Sequence, residues 1–228
     1  ATNSNYTISY VAGNLIVNPA ALLITANGQT ITYGAAVPTT TASYSGFVNG
    51  DTAASLTTAP TLDSAQSGNP VAGLYFSNYS ASGAVSSNYD ISYAVGNLMV
   101  NRAALTITAN GQTITYGAAV PTTTASYSGF VNGDTAASLT TAPTLSSTQS
   151  GNPNAGTYTG NYTASGAVNS NYTISYVAGS LFVNPAALTI TANNQTITYG
   201  AAVPTTMTAL GRGMKLPRSR SGRVLMKI

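Results

Sequence analysis

The chain has 228 residues, among them seven Lys or Arg and four Asp, with no Glu, His, Cys or Trp. This inventory excludes thiolate chemistry, imidazole acid–base work, Cys or His metal ligation and disulfides. With 5% charged residues against an ordinary ~25%, paired carboxylates are nearly excluded as well. A hydrophobic fraction of 43% and a net charge of +3 are the reverse of a disordered composition, so the chain is expected to fold. No run approaches the roughly 18 apolar residues of a membrane helix, and no membrane insertion is expected. The N-terminus begins with Ala and lacks the charged-then-apolar layout of a signal peptide, so the chain reads as an internal piece of something longer.

Self-similarity organises the whole sequence. The string ANGQTITYGAAVPTT starts at Ala26 and again at Ala109, and ANNQTITYGAAVPTT starts at Ala192, a period of 83 residues. Residues 1–19 then read as the end of one module, 20–102 and 103–185 as complete modules, and 186–206 as the truncated start of another. The two complete modules share 68 of 83 positions. A period of 83 is too long for a solenoid repeat and close to a small autonomous domain, which predicts beads on a string.

Taken in chain order, residues 104–109 and 112–116 alternate apolar side chains with Thr. Asn110-Gly111 lies between them, as Asn27-Gly28 does in the first module, and this spacing predicts a hairpin with a tight type I′ turn. Pro121 opens an extended Thr-rich run through residue 130. Asp134 then opens a stretch that reads as one or two helical turns, with Asp51 and Asp134 as helix N-caps. Residues 141–145 predict a further strand. In 157–165 the period-two pattern sets Tyr158 and Tyr162 on one face, as Tyr75 and Tyr79 are in the first module, and these tyrosines are the predicted core. Residues 172–176 form another strand, and a Gly-centred turn at 178–180 returns the chain through 181–183. The expected fold is mainly β, a β-rich α+β module with six or seven short strands and one short helix.

The motifs TITYGAA, SGFVNGDTAASL, NYTISY and the closing NPA resemble the MBG domain of the YGX type. The name-giving triplets are Tyr33-Gly34-Ala35, Tyr116-Gly117-Ala118 and Tyr199-Gly200-Ala201. The resemblance covers residues 1–206, with Arg102 standing where the other boundaries have Pro19 and Pro185. It implies β-grasp-like modules in a large bacterial surface protein of filamentous-haemagglutinin or two-partner-secretion type, and it supplies no catalytic residue. The function it implies is a non-catalytic stalk or spacer of a secreted or surface-attached adhesin. That places the chain outside the cell, at the bacterial surface, with neighbouring modules of the same chain as its partners. The alternative is that the modules themselves bind a host glycan or matrix protein.

The residues offer little chemistry beside this. Asp63 aligns with Ser146 and Asp90 with Thr173, so only Asp51 and Asp134 are common to both modules, and each is isolated in sequence. Calcium takes six to eight oxygens, several from carboxylates. No general base is on offer for a Ser or Thr nucleophile. No catalytic, cofactor-binding or metal-ligating residue is therefore assigned, and no cofactor. Five Asn-X-Ser/Thr sequons, at Asn5, Asn78, Asn161, Asn171 and Asn194, read as turns before strands. Leu74 and Phe76, replaced by Thr157 and Thr159 in the second module, fall on a predicted exposed strand face and form a candidate contact surface.

After Thr206 the repeat stops abruptly. Residues 207–228 hold six of the seven basic residues and no acid, so the repeat body carries −3 and the tail +6. A nucleic-acid or membrane-surface arm is one reading of this tail, and a frameshift or recombination junction is the favoured one. The tail is expected to be disordered, and the basic balance of the chain does not indicate a nucleic-acid partner.

Overall fold

A computed structural model describes residues 2–191 and 194–202. The expected disordered tail, 207–228, lies outside the described residues. The first module carries β1 (Ala20–Ala26), β2 (Gln29–Thr32), β3 (Ala42–Ser45), β4 (Thr61–Ser64), β5 (Gly73–Ser82), β6 (Tyr89–Ala94) and β7 (Gly96–Asn101). The second repeats the set as β8 (Ala103–Ala109), β9 (Gln112–Thr115), β10 (Ala125–Ser128), β11 (Thr144–Ser147), β12 (Gly156–Ser165), β13 (Tyr172–Val177) and β14 (Gly179–Asn184).

Each module closes two sheets of its own, ordered β3-β1-β6 and β4-β5-β7-β2 in the first and equivalently in the second. The alternation read in the sequence sets their facing sides. Leu22, Ile24 and Ala26 of β1 are buried, and so are Leu98 and Val100 of β7 and Tyr79 and Ala81 of β5. Burying each such large side chain contributes about 1.5–3 kcal/mol.

The two sheets are linked by a bent parallel ribbon. Strand β1 pairs in parallel with β6 and β2 with β7; Ala20 faces Tyr89 and Gln29 faces Leu98, 69 residues apart in both cases. The ribbon turns its corner where Gly28 and Gly96 meet. A Cβ on Gly96 would lie 2.4 Å from the Ala26 carbonyl oxygen and 2.7 Å from the Gly28 nitrogen, and one on Gly28 would lie 2.9 Å from the Asn97 oxygen. Only residues without a Cβ let the two backbones cross this closely.

This geometry corrects the predicted hairpin. Asn27-Gly28 and Asn110-Gly111 do not join paired strands; they carry the chain from one sheet into the other. The Gly is needed for close approach and not for a left-handed turn. The type I′ turn stands instead at the module's other Asn-Gly pair, Asn49-Gly50, with φ values of 56° and 80°, repeated at Asn132-Gly133 with 58° and 75°.

The one short helix per module is also corrected. At the predicted site stands a three-residue 3-10 turn, Ala53–Ser55 or Ala136–Ser138, and among the described residues there is no α-helix. A run of three residues closes too few bonds to propagate a helix. The turn's N-cap is Thr52, or Thr135, whose hydroxyl accepts from the Ala54, or Ala137, amide at 3.3 Å. Asp51 and Asp134 precede the cap and serve elsewhere.

Two of the sequons are not turns. Asn78 and Asn161 lie within β5 and β12, almost fully buried. The Asn78 Oδ1 accepts from the Gln66 amide at 2.9 Å and its Nδ2 donates to Ser64 Oγ at 2.9 Å, tying the β4–β5 connection; Asn161 does the same with Gln149 and Ser147.

Finally, the modules are not separate beads. A single residue, Arg102, links β7 to β8, residues 1–184 form one compact unit, and the buried side chains of both modules make one continuous cluster. The partial copies lack this order. Residues 2–19 form no strand, and Leu15 is 88% exposed where its counterpart Leu98 is 0%. In the second unit, the described part of 185–202 likewise has no strand, and Leu188 and Ile190 are exposed.

Candidate intermodule interface

The end of the first module nearest the second is built by the TITYGAA segment. The Tyr33 amide donates to the Asn101 carbonyl at 2.8 Å, which fixes Tyr33 beside the point where β7 leaves the module. Gly34 then turns with φ +97°, and the Ala35 amide closes the turn on the Thr32 carbonyl at 3.0 Å.

The facing end of the second module is a preformed acceptor. The type I′ turn at Asn132-Gly133 delivers Asp134, whose amide donates to the Val131 carbonyl at 2.9 Å. The Tyr172 hydroxyl donates to Asp134 Oδ2 at 2.7 Å and accepts from the Val131 amide at 3.1 Å. Phe130 stacks edge-on against Tyr172, with ring centres 5.6 Å apart at 90°.

Four contacts between described residues cross from one module to the other. The Tyr33 hydroxyl donates to the same Asp134 Oδ2 at 3.0 Å, and its ring meets Tyr172 edge to face at 5.5 Å and 86°. Gly34 lies against Val131, so closely that a Cβ on it would stand 2.7 Å from the Val131 Cβ. The Ala72 amide donates to Asn171 Oδ1 at 3.0 Å. Edge-to-face aromatic pairs add about 0.5–1.5 kcal/mol beyond the area they bury, and a hydrogen bond to a charged acceptor adds roughly 1.5–3 kcal/mol.

The electrostatics follow from this packing. The Tyr172 hydroxyl bonded to it, with Tyr33 and Ser138, holds the Asp134 carboxyl below its ordinary range in spite of burial. Burial, and then the adjacent Asp134 carboxylate, push the Tyr172 phenol up to about 12 although the Val131 backbone opposes them. Two phenols converging on one carboxylate make a hydrogen-bonded contact that joins the modules. Among the described residues no three of His, Cys, Asp and Glu lie together to hold a metal.

The remaining candidate residues fall elsewhere. Tyr79 and Tyr162 have no exposed surface and donate to the Pro38 and Pro121 carbonyls at 3.2 Å, and burial raises both phenols. Tyr75 and Tyr158 are half-buried and donate to the Val71 and Asn154 carbonyls at 3.0 Å. Leu74 is 43% and Phe76 75% exposed; the bonds between modules leave from Tyr33 and Ala72 and not from them. Asp63 and Asp90 are exposed. Sequence reasoning missed Tyr33, Val131, Asn171 and Tyr172 as interface residues. The available signal is the persistence of Asp51 and Asp134 in both modules.

The MBG domain (YGX type) family matches the chain twice, over residues 22–99 and 105–182. The chain belongs to this family. It is a structural repeat region of tandem MBG domains, a family without catalytic function. No significant match to a curated protein or to a solved structure was found. Among the described residues no helix is long and apolar enough to cross a membrane.

Proposed function

We propose that these modules are the stalk of a secreted or surface-attached bacterial adhesin, holding an adhesive or anchoring part away from the cell. The observation that carries this reading is the direct seam between consecutive modules, in which Tyr33 is seated on Asp134 and Tyr172 across a one-residue link. A spacer needs a fixed orientation at each joint, and this seam supplies one. The lack of Cys and the low charge are compatible with export across the outer membrane in an unfolded form.

Antibodies against this chain test the location. Labelling of intact cells that express the parent protein is expected, whereas labelling that appears only after the outer membrane is opened overturns the reading. In-frame removal of modules is expected to shorten the reach of the parent protein while its adhesive contact is kept.

A second reading, in which the modules themselves bind a host glycan or matrix protein, rests on Phe76 and Leu74, an exposed apolar pair that the second module replaces with Thr. Binding of the full chain to a glycan array or to matrix proteins, lost in a Leu74→Thr/Phe76→Thr variant, supports this reading; no binding by the unaltered chain rejects it.

A further inference from the structure

Both halves of the seam occur in both modules, yet only one pair is matched. The corner Tyr33-Gly34 is engaged, and Tyr33 is 8% exposed. Its counterpart Tyr116-Gly117 has the same backbone, with φ +95° at Gly117, but Tyr116 is 51% exposed and nothing stands within 4 Å of a Cβ built on Gly117. The acceptor ends show the same contrast. Val131 is half-buried against Gly34, whereas Val48 is 48% exposed; Asn171 is half-buried, whereas Asn88 is exposed.

The unmatched acceptor is nonetheless already assembled. The Tyr89 hydroxyl donates to Asp51 Oδ2 at 2.7 Å and accepts from the Val48 amide at 3.1 Å. Phe47 stands edge-on to Tyr89 at 5.4 Å and 90°. These are the dimensions of the engaged acceptor, so nothing has to be ordered before it binds.

We propose that the Tyr-Gly corner and the Asp–Tyr acceptor are the two faces of one recurring head-to-tail joint. In it, Asp51 and Tyr89 receive the corner of a preceding module of this repeat, and Tyr116-Gly117 seats on the acceptor of a following one. The occupant is another copy of the module because the engaged joint displays it: a tyrosine hydroxyl on the second side of the carboxylate oxygen, a ring edge on the acceptor tyrosine, and a glycine without the Cβ that would strike the valine. A heterologous contact of this kind does not close on itself and propagates along an array. The third copy carries the same corner at Tyr199-Gly200, with φ +89°. The position 83 residues beyond Asp134 is Pro217, so this sequence holds no matching carboxylate for Tyr116. The joint does not depend on the parent protein being an adhesin.

Tyrosine nitration by tetranitromethane, read site by site by mass spectrometry, tests the joint; the chain holds no cysteine to consume the reagent. In the unaltered full chain Tyr116 is expected to react and Tyr33 to resist. In a chain with residues 103–185 duplicated in tandem, Tyr116 gains an acceptor and is expected to fall to the reactivity of Tyr33. Replacing the added module's copy of Asp134 with Asn should restore part of that reactivity, and the exposed Tyr6 serves as an internal reference in every sample. Equal reactivity of Tyr33 and Tyr116 in the unaltered chain, or undiminished reactivity of Tyr116 in the extended chain, overturns the proposal.

Discussion

Ser77 and Gly160 stand at the same place in consecutive modules, and both have left-handed backbone, with φ of 51° and 68°. Each sits in the bulge where β5, or β12, shifts register against its neighbour. The Ser77 amide is held by Asn97 Oδ1 at 2.9 Å. An L side chain in this region carries a steric cost of roughly 1–2 kcal/mol that Gly avoids, partly offset by the greater entropy Gly loses on folding. Ser77→Gly is therefore expected to stabilise the first module by about 0.5–1 kcal/mol and Gly160→Ser to destabilise the second by a similar amount. Chemical denaturation of the full chain, with hydrogen exchange to separate the modules, checks both.

Gly96→Ala is expected to cost about 2 kcal/mol or more, because its Cβ meets backbone on the facing strand and neither strand can yield without breaking the ribbon. Gly73→Ala is the control. It lies in β5 with nothing within 4 Å of an added Cβ and is expected to be nearly neutral. Thermal midpoints of the two variants should separate clearly; equal midpoints would remove the corner's close approach as the reason for the glycine.

Asn161→Ala leaves the half-buried Gln149 amide without its acceptor and removes one of the two bonds to Ser147 Oγ, which keeps its own bond to the Gln149 carbonyl, at an expected cost of about 1–3 kcal/mol. Because Asn78 and Asn161 are enclosed, expression in a glycosylating host is expected to leave both unmodified in the folded protein. Peptide mapping reads that outcome, and a glycan on either asparagine of soluble, folded chain would contradict the burial.

The phenol at Tyr172 sets an alkaline limit. Its folded pKa of about 12 stands above the ordinary value of 10.0, so its contribution is fully present below about pH 10 and is lost as pH rises toward 12. Asp134 works in the opposite sense. Its folded pKa is depressed, so its contribution is present above the unfolded value near ~3.9 and is lost as pH falls through the folded value. Stability measured against pH is expected to fall at both ends, and Tyr172→Phe should flatten part of the alkaline fall. Tyr79 and Tyr162, raised by burial, and Tyr89, also raised, add to the slope in the same sense.

Much of the strand layout was legible in the sequence, because alternation at 104–109, 157–165 and 172–176 reports a half-buried pleated surface directly. What was not legible was pairing. Asn-Gly occurs twice in each module, at 27–28 and 49–50 in the first, and composition alone does not separate a glycine needed for positive φ from one needed for close approach. Partners 69 residues apart leave no local trace. The same holds for the partial copies: Leu15, Ile16 and Val17 repeat the pattern of β7 but stay exposed and unpaired. Asp51 and Asp134 are the two acids common to both modules, and the cap positions the sequence suggests for them are held by Thr52 and Thr135. Their acceptor role was hidden because Tyr172 lies 38 residues beyond Asp134 and Tyr33 101 residues before it.

The bent parallel ribbon has a mechanical consequence. The chain enters each module at the start of β1 and leaves at the end of β7, and these strands run parallel to their partners β6 and β2 in the two ladders that meet at the corner. Tension applied through the neighbouring modules therefore pulls the paired strands past one another. The hydrogen bonds of each ladder are loaded together in shear instead of being peeled apart one at a time, so the module's resistance to stretching lies in the ribbon that Gly28 and Gly96 allow to bend.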